Sequence, residues 1–281
     1  MVTTLSNREN SVPHHEPRVG TVGADPHLTV RLVGGPTAIL EIAGLRLITD
    51  PTFDPPGVYE PRPGVTLTKT HGPAVGPEEI GPIDAVLLSH DQHRDNLDDS
   101  GRAFLHRAAR VLTTVSGADR LGVPAEGLRV WETVELQRPD GKMLQITGVP
   151  ARHGPEGSAH LTGEVIGFLL SGDDVASVYV SGDNASLDVV RTIVERLGTV
   201  DVAVLFAGGA QLPYLGEQYL TLNSEAAAEA ARLLGAPTVI PVHCEAWAHL
   251  SEGPEDLRTA FARAGLNDQL VLAAAGDTVT L

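Results

Sequence analysis

Apolar positions recur in short runs at 28–33, 38–42 and 45–49, and the breaks between them carry Gly34-Gly35-Pro36 and Ala43-Gly44. This pattern predicts three brief strands joined by tight turns. The run 83–88 is apolar nearly throughout, as in a strand buried on both faces. A helical period follows over 97–109, and further strands are expected at 111–114, 128–135, 143–149, 164–170 and 176–180. Towards the C-terminus helices and strands alternate: a helix over 186–197 and a strand over 202–205, then a helix over 224–234 and a strand over 238–242. A last helix spans 254–264 before a strand at 269–273. The Pro-rich stretch 51–82 reads as mostly loop, long enough to suspect a functional surface. Residues 1–24 show no hydrophobic period and read as a flexible leader, with 25–281 as one domain. Early antiparallel strands followed by β-α-β units predict an α/β protein with helices outside its sheets.

Charge narrows the functions available. With 20 Lys and Arg against 36 Asp and Glu the formal net charge is −16. Such a surface repels phosphate backbones and anionic lipid, so neither nucleic acid nor a membrane is an expected partner. No apolar stretch approaches the length of a membrane span, and the first 25 residues lack the apolar segment of a secretory signal. The single cysteine, Cys244, excludes an intramolecular disulfide and fits a reducing cytoplasm.

Four polar groups each stand just after an expected strand, where α/β proteins assemble ligand sites. They are Ser89-His90-Asp91-Gln92-His93-Arg94-Asp95-Asn96-Leu97-Asp98, Ala151-Arg152-His153-Gly154, Ser181-Gly182-Asp183-Asn184 and Pro241-Val242-His243-Cys244-Glu245. Imidazole and carboxylate together suit zinc, iron or manganese. Three His and two Asp from separate loops could therefore converge on one metal centre.

These motifs, in this order, resemble the metallo-β-lactamase superfamily, and within it the metal-dependent hydrolases that include UlaG-like lactonases and N-acyl-phosphatidylethanolamine phospholipase D. The likeness runs over roughly 28–275 and includes the opening hairpins and Thr49-Asp50-Pro51. It implies a four-layer αββα sandwich in a single domain, with the site at one edge. It implies a hydrolase that directs a metal-bound hydroxide at a small ester, lactone or phosphodiester. The metal ligands implied are His90, His93, Asp95, His153, Asp183 and His243, holding one or two zinc ions, with manganese or iron as alternatives. Asp95 would also act in catalysis, orienting the nucleophile or carrying its proton. A degenerate binding protein, or a mononuclear iron oxidoreductase on the same fold, is the alternative reading.

One motif departs from the family. Its pattern His-x-His-x-Asp-His is matched from His93 onward, which displaces His90 by one residue and puts Asn96 where the last His belongs. An amide is a poor ligand for a transition metal. The residues therefore predict one tight metal position and a weak second. His71 and His160 could border the site and His249 could line its pocket, whereas Cys244, beside His243, reads as a packing residue.

Overall fold

The computed structural model describes residues 28–62, 65–212 and 216–281, so the leader expected over 1–24 lies outside the described residues. β1 (Leu28–Gly34), β2 (Thr37–Ile42) and β3 (Leu45–Thr49) form an antiparallel meander. Ala43 and Gly44 join β2 to β3 with φ of 52° and 80°, the backbone that a two-residue hairpin turn demands. β4 (Gly57–Arg62) and β5 (Val65–Lys69) pair as a separate hairpin. The stretch read as loop is therefore built around a hairpin, which contributes a wall of the site.

β6 (Ile83–Leu87) runs parallel to β3. Next come α1 (Asp99–Phe104), β7 (Ala108–Thr113), α2 (Val115–Leu121) and β8 (Ala125–Gly127). The helix expected over 97–109 is thus shorter. Asp98 caps it by accepting from the Gly101 amide at 2.8 Å, and from Ala108 the chain pairs with β6. β9 (Thr133–Gln137) and β10 (Met143–Pro150) follow, then α3 (Ala159–Thr162), β11 (Ile166–Ser171) and β12 (Val178–Val180). Of the strand expected over 128–135, residues 133–135 open β9, while 128–132 form the crossing from β8 to β9, which belong to different sheets, with Trp131 turning the chain at φ 69°.

The C-terminal part alternates α4 (Leu187–Leu197), β13 (Val202–Phe206), α5 (Ser224–Leu234), β14 (Thr238–Val242) and α6 (Pro254–Ala264). Ser186 and Asn223 cap α4 and α5, while Gly198, Gly235 and Gly265 end the three helices at positive φ. The strand expected at 269–273 is absent. Only Leu270 bridges to Val239, and the last strand is β15 (Thr278–Thr280), paired with β1.

The strand order is β15-β1-β2-β3-β6-β7-β8 in one sheet and β14-β13-β12-β11-β10-β9 in the other. Their facing sides share one apolar core, from Val30, Leu40 and Leu47 to Phe168, Val204 and Phe206. Outside the second sheet α4, α5 and α6 bury Val190, Ile193, Ala230, Leu234 and Phe261. Outside the first, Phe104 and Leu105 pack on Ile48 and Val86. The result is the αββα sandwich. The four polar groups follow β6, β10, β12 and β14, whose ends meet at one edge of it.

Candidate metal centre

His90 ends the apolar run of β6 and is fully buried. Its Nδ1 lies 2.9 Å from Ser89 Oγ, which donates to Asp50 Oδ2 at 2.5 Å. Having donated its hydrogen, that hydroxyl can only accept from His90, so we assign the His90 proton to Nδ1 and a bare lone pair to Nε2. His153, after β10, places Nδ1 at 2.6 Å from the Leu220 carbonyl. A carbonyl only accepts, so His153 Nε2 also carries a lone pair. Both lone pairs converge on His93 Nδ1, at 2.9 and 3.1 Å. One hydrogen there could satisfy only one of them.

Asp183 Oδ2 completes this cluster at 3.7 Å from His153 Nε2 and 4.0 Å from His90 Nε2. Four donors around an ion at zinc–nitrogen distances would stand about 3.4 Å apart at the edges of a tetrahedron. The observed separations bracket that value. Protonation does not offer another way out. Burial, with the neighbouring His93 and His153, holds His90 well below the usual imidazole range, and burial pulls His153 down to about 4. Neutral imidazoles with outer partners fixing their tautomers are what a metal requires.

A second cluster lies beside the first. Asp95 Oδ2 stands 2.9 Å from His249 Nε2 and 3.3 Å from His243 Nε2. His243, after β14, sits at φ 52° with its amide bonded to Gly35 O, a strained turn that aims the ring inward. The ring is fully buried, yet among the described residues neither nitrogen makes a well-aligned hydrogen bond, the approach to Asp95 being close but misaligned. Orphaned buried nitrogens of this kind fit an ion. Burial pushes Asp95 upward, but His249 and His243 outweigh it and hold the carboxylate well below its ordinary range. Asp183 Oδ1 lies 3.8 Å from His243 Nε2, so one carboxylate faces both clusters. Burial, reinforced by Asp95, pushes Asp183 up.

The structure thus gathers His90, His93, His153 and Asp183 in one group and Asp95, His243 and His249 in the other. Asn96 donates its amide to Asp50 Oδ2 at 3.0 Å and Asp183 Oδ1 at 3.1 Å. Asp91 turns away to Arg120, and Asp98 caps α1. His71 bonds Thr70, His160 bonds Gly157 O, and Cys244 packs in the core beneath the outer helices, its thiol pushed up to about 12 by burial. His249 was legible only as a pocket-lining residue. The one signal for it was negative: a motif one imidazole short invites a search for another.

Above the clusters opens a cavity of about 410 Å³, a size that suits a small molecule. His93, Asp95, His153 and His249 reach into it, while Leu67, Leu161, Leu212 and Leu220 form apolar walls. Arg94, Arg102 and Arg120 also line it. Among the described residues no helix is long and apolar enough to cross a membrane.

Residues 45–244 match the family described as Beta-lactamase superfamily domain. The chain is 30% identical over 232 residues to a UPF0173 metal-dependent hydrolase of Methanoculleus marisnigri, covering 80% of this chain and 86% of that one. Its fold is similar to that of a possible metal-dependent hydrolase from Veillonella parvula (TM-score 0.78, 17% identity, 90% and 99% of the two chains). It is also similar to isothiocyanate hydrolase from Delia radicum gut bacteria (TM-score 0.75, 20% identity, 90% and 98%).

Proposed function

The chain belongs to the beta-lactamase superfamily and to its metal-dependent hydrolases, and on that premise we propose that it cleaves a small ester, lactone or phosphodiester with zinc as its metal. The observation that carries this reading is the set of imidazole and carboxylate donors converging on the floor of a small-molecule cavity. His90, His93, His153 and Asp183 would hold one ion, and Asp95, Asp183 and His243 would serve a second or shared position. A bound ion supplies Lewis acidity and lowers the pKa of water toward neutrality.

The remaining work falls to the protein. His90, Asp183 and His243 are buried beneath the cavity and fix the ligand frame. Ser89 and the Leu220 carbonyl hold the imidazole tautomers, which keeps the lone pairs aimed inward. Asp95, on the cavity floor, would orient the attacking water, and the four leucines would seat the carbon skeleton of the substrate.

The test strips the protein with a chelator, restores zinc, manganese or iron separately, and assays a nitrophenyl ester, a lactone and a nitrophenyl phosphodiester. Turnover of at least one, dependent on restored metal, is the expected result. Protein fully loaded with each metal yet inert on all three would overturn the proposal. In the same assays Asp95→Asn should lower turnover roughly 10²-fold, while atomic absorption still finds the first ion. Unchanged turnover would remove Asp95 from the reaction.

A further inference from the structure

We propose that His249 supplies, from the loop after β14, the imidazole that the second metal position lacks at Asn96, so that the chain holds two zinc-type ions. The inference rests on the reading of this chain as a metal protein but not on its substrate.

Asn96 serves that position poorly, because its neutral amide is a weak donor to a transition metal. Its amide nitrogen faces two carboxylates, Asp50 and Asp183, and is committed to both. Its Oδ1 is buried and, among the described residues, has no hydrogen-bond partner. The residue therefore acts as a clamp that sets the angle of Asp183. The vacated role needs a donor reaching the same place from another segment, and His249 Nε2 stands within 4.8 Å of the donor atoms of both Asp95 and His243.

The loop that carries His249 is built to hold it there. Thr70 donates to Ala246 O at 2.7 Å, Ala248 to Thr68 O at 2.9 Å, and Gln211 to His249 O at 3.0 Å. Trp247 is buried, bridges to Lys69 on β5, and lies under its ammonium. The β4–β5 hairpin thus grips one side of the loop and residue 211 the other. Such pinning is more than a hydrogen bond from His249 to Asp95 would require. Together, Asp95, His243 and His249 provide two imidazoles and a carboxylate, with the far oxygen of Asp183 nearby, a set suited to zinc or iron.

Zinc titration by calorimetry into chelator-stripped protein, with circular dichroism as the check on folding, decides it. Wild type should take up two equivalents. His249→Asn, which can still hydrogen-bond to Asp95, should keep the first and weaken the second by more than about 100-fold. The double variant Asn96→His/His249→Asn should recover the second equivalent, because an imidazole then returns from the position the family uses. Two tight equivalents in His249→Asn, one equivalent in wild type, or no recovery in the folded double variant would each overturn the assignment while leaving a metal-binding hydrolase. No zinc uptake by wild type would overturn the assignment and the metal reading together.

Discussion

Replacing Asp183 by Ala should lower turnover by roughly 10³-fold or more and abolish the thermal stabilisation that added zinc confers. The two oxygens of this carboxylate look in different directions, Oδ2 towards His90 and His153 and Oδ1 towards His243. Deleting it takes a donor from the first cluster and the nearby carboxylate oxygen from the second at once. The metal-free proteins should nevertheless melt within about 3 °C of each other. In the absence of an ion the Asp183 charge is buried beside Asp95, an arrangement that burial and like charge both oppose. Its loss therefore removes an unfavourable buried charge along with the hydrogen bond from Asn96 and the attraction to His243, contributions that oppose one another. Melting curves with and without zinc, set beside turnover, check both halves. A variant that keeps its zinc-dependent shift and its activity would show that Asp183 is only a buried structural acid.

Gly101→Ala is expected to cost about 3 kcal/mol of stability, the upper part of the range for forcing an atom into a packed interior. A Cβ at this position would fall 1.8 Å from the Pro51 carbonyl oxygen and 2.8 Å from its carbon, both backbone atoms that cannot rotate aside. The damage should reach the metal centre. Pro51 adjoins Asp50, which accepts from the Ser89 amide at 2.6 Å, from its hydroxyl and from Asn96, so a shift of Pro51 loosens the partner that holds the His90 tautomer. Gly76→Ala is the control. Its backbone is ordinary, its nearest neighbour is Glu79 Oε1 at 3.6 Å, and it should change stability by less than about 0.5 kcal/mol. Urea unfolding of the metal-free proteins measures the difference, and equal stability of the two variants would refute the packing argument.

Several elements were readable directly from residue order. The helices over 224–234 and 254–264 and the strand over 238–242 have the bounds that their period and their flanking Asn, Gly and Pro imply. The polar groups at 89–98, 151–154, 181–184 and 241–245 were also legible as a site, because each ends an apolar run abruptly. Local period and punctuation are properties of neighbouring residues, so the order of residues carries them. The same signals imply helices outside sheets, while the four-layer αββα sandwich is what the resemblance to the metallo-β-lactamase superfamily implies.

What neighbouring residues cannot encode is how distant segments meet. The residues 125–137 are divided between two sheets by a turn at Trp131, and nothing in their period marks the crossing. The 51–82 stretch forms a hairpin only because β4 and β5 pair with each other and grip the loop after β14. That grip brings His249 to 2.9 Å from Asp95 across 154 positions of chain. Residue order set which side chains could bind metal and which motif was one imidazole short. Packing of the hairpin, the 211 segment and the end of β14 placed His249 beside Asp95 and His243, because a contact of that range depends on backbone pairing at the sandwich edge and leaves no periodic trace in the chain.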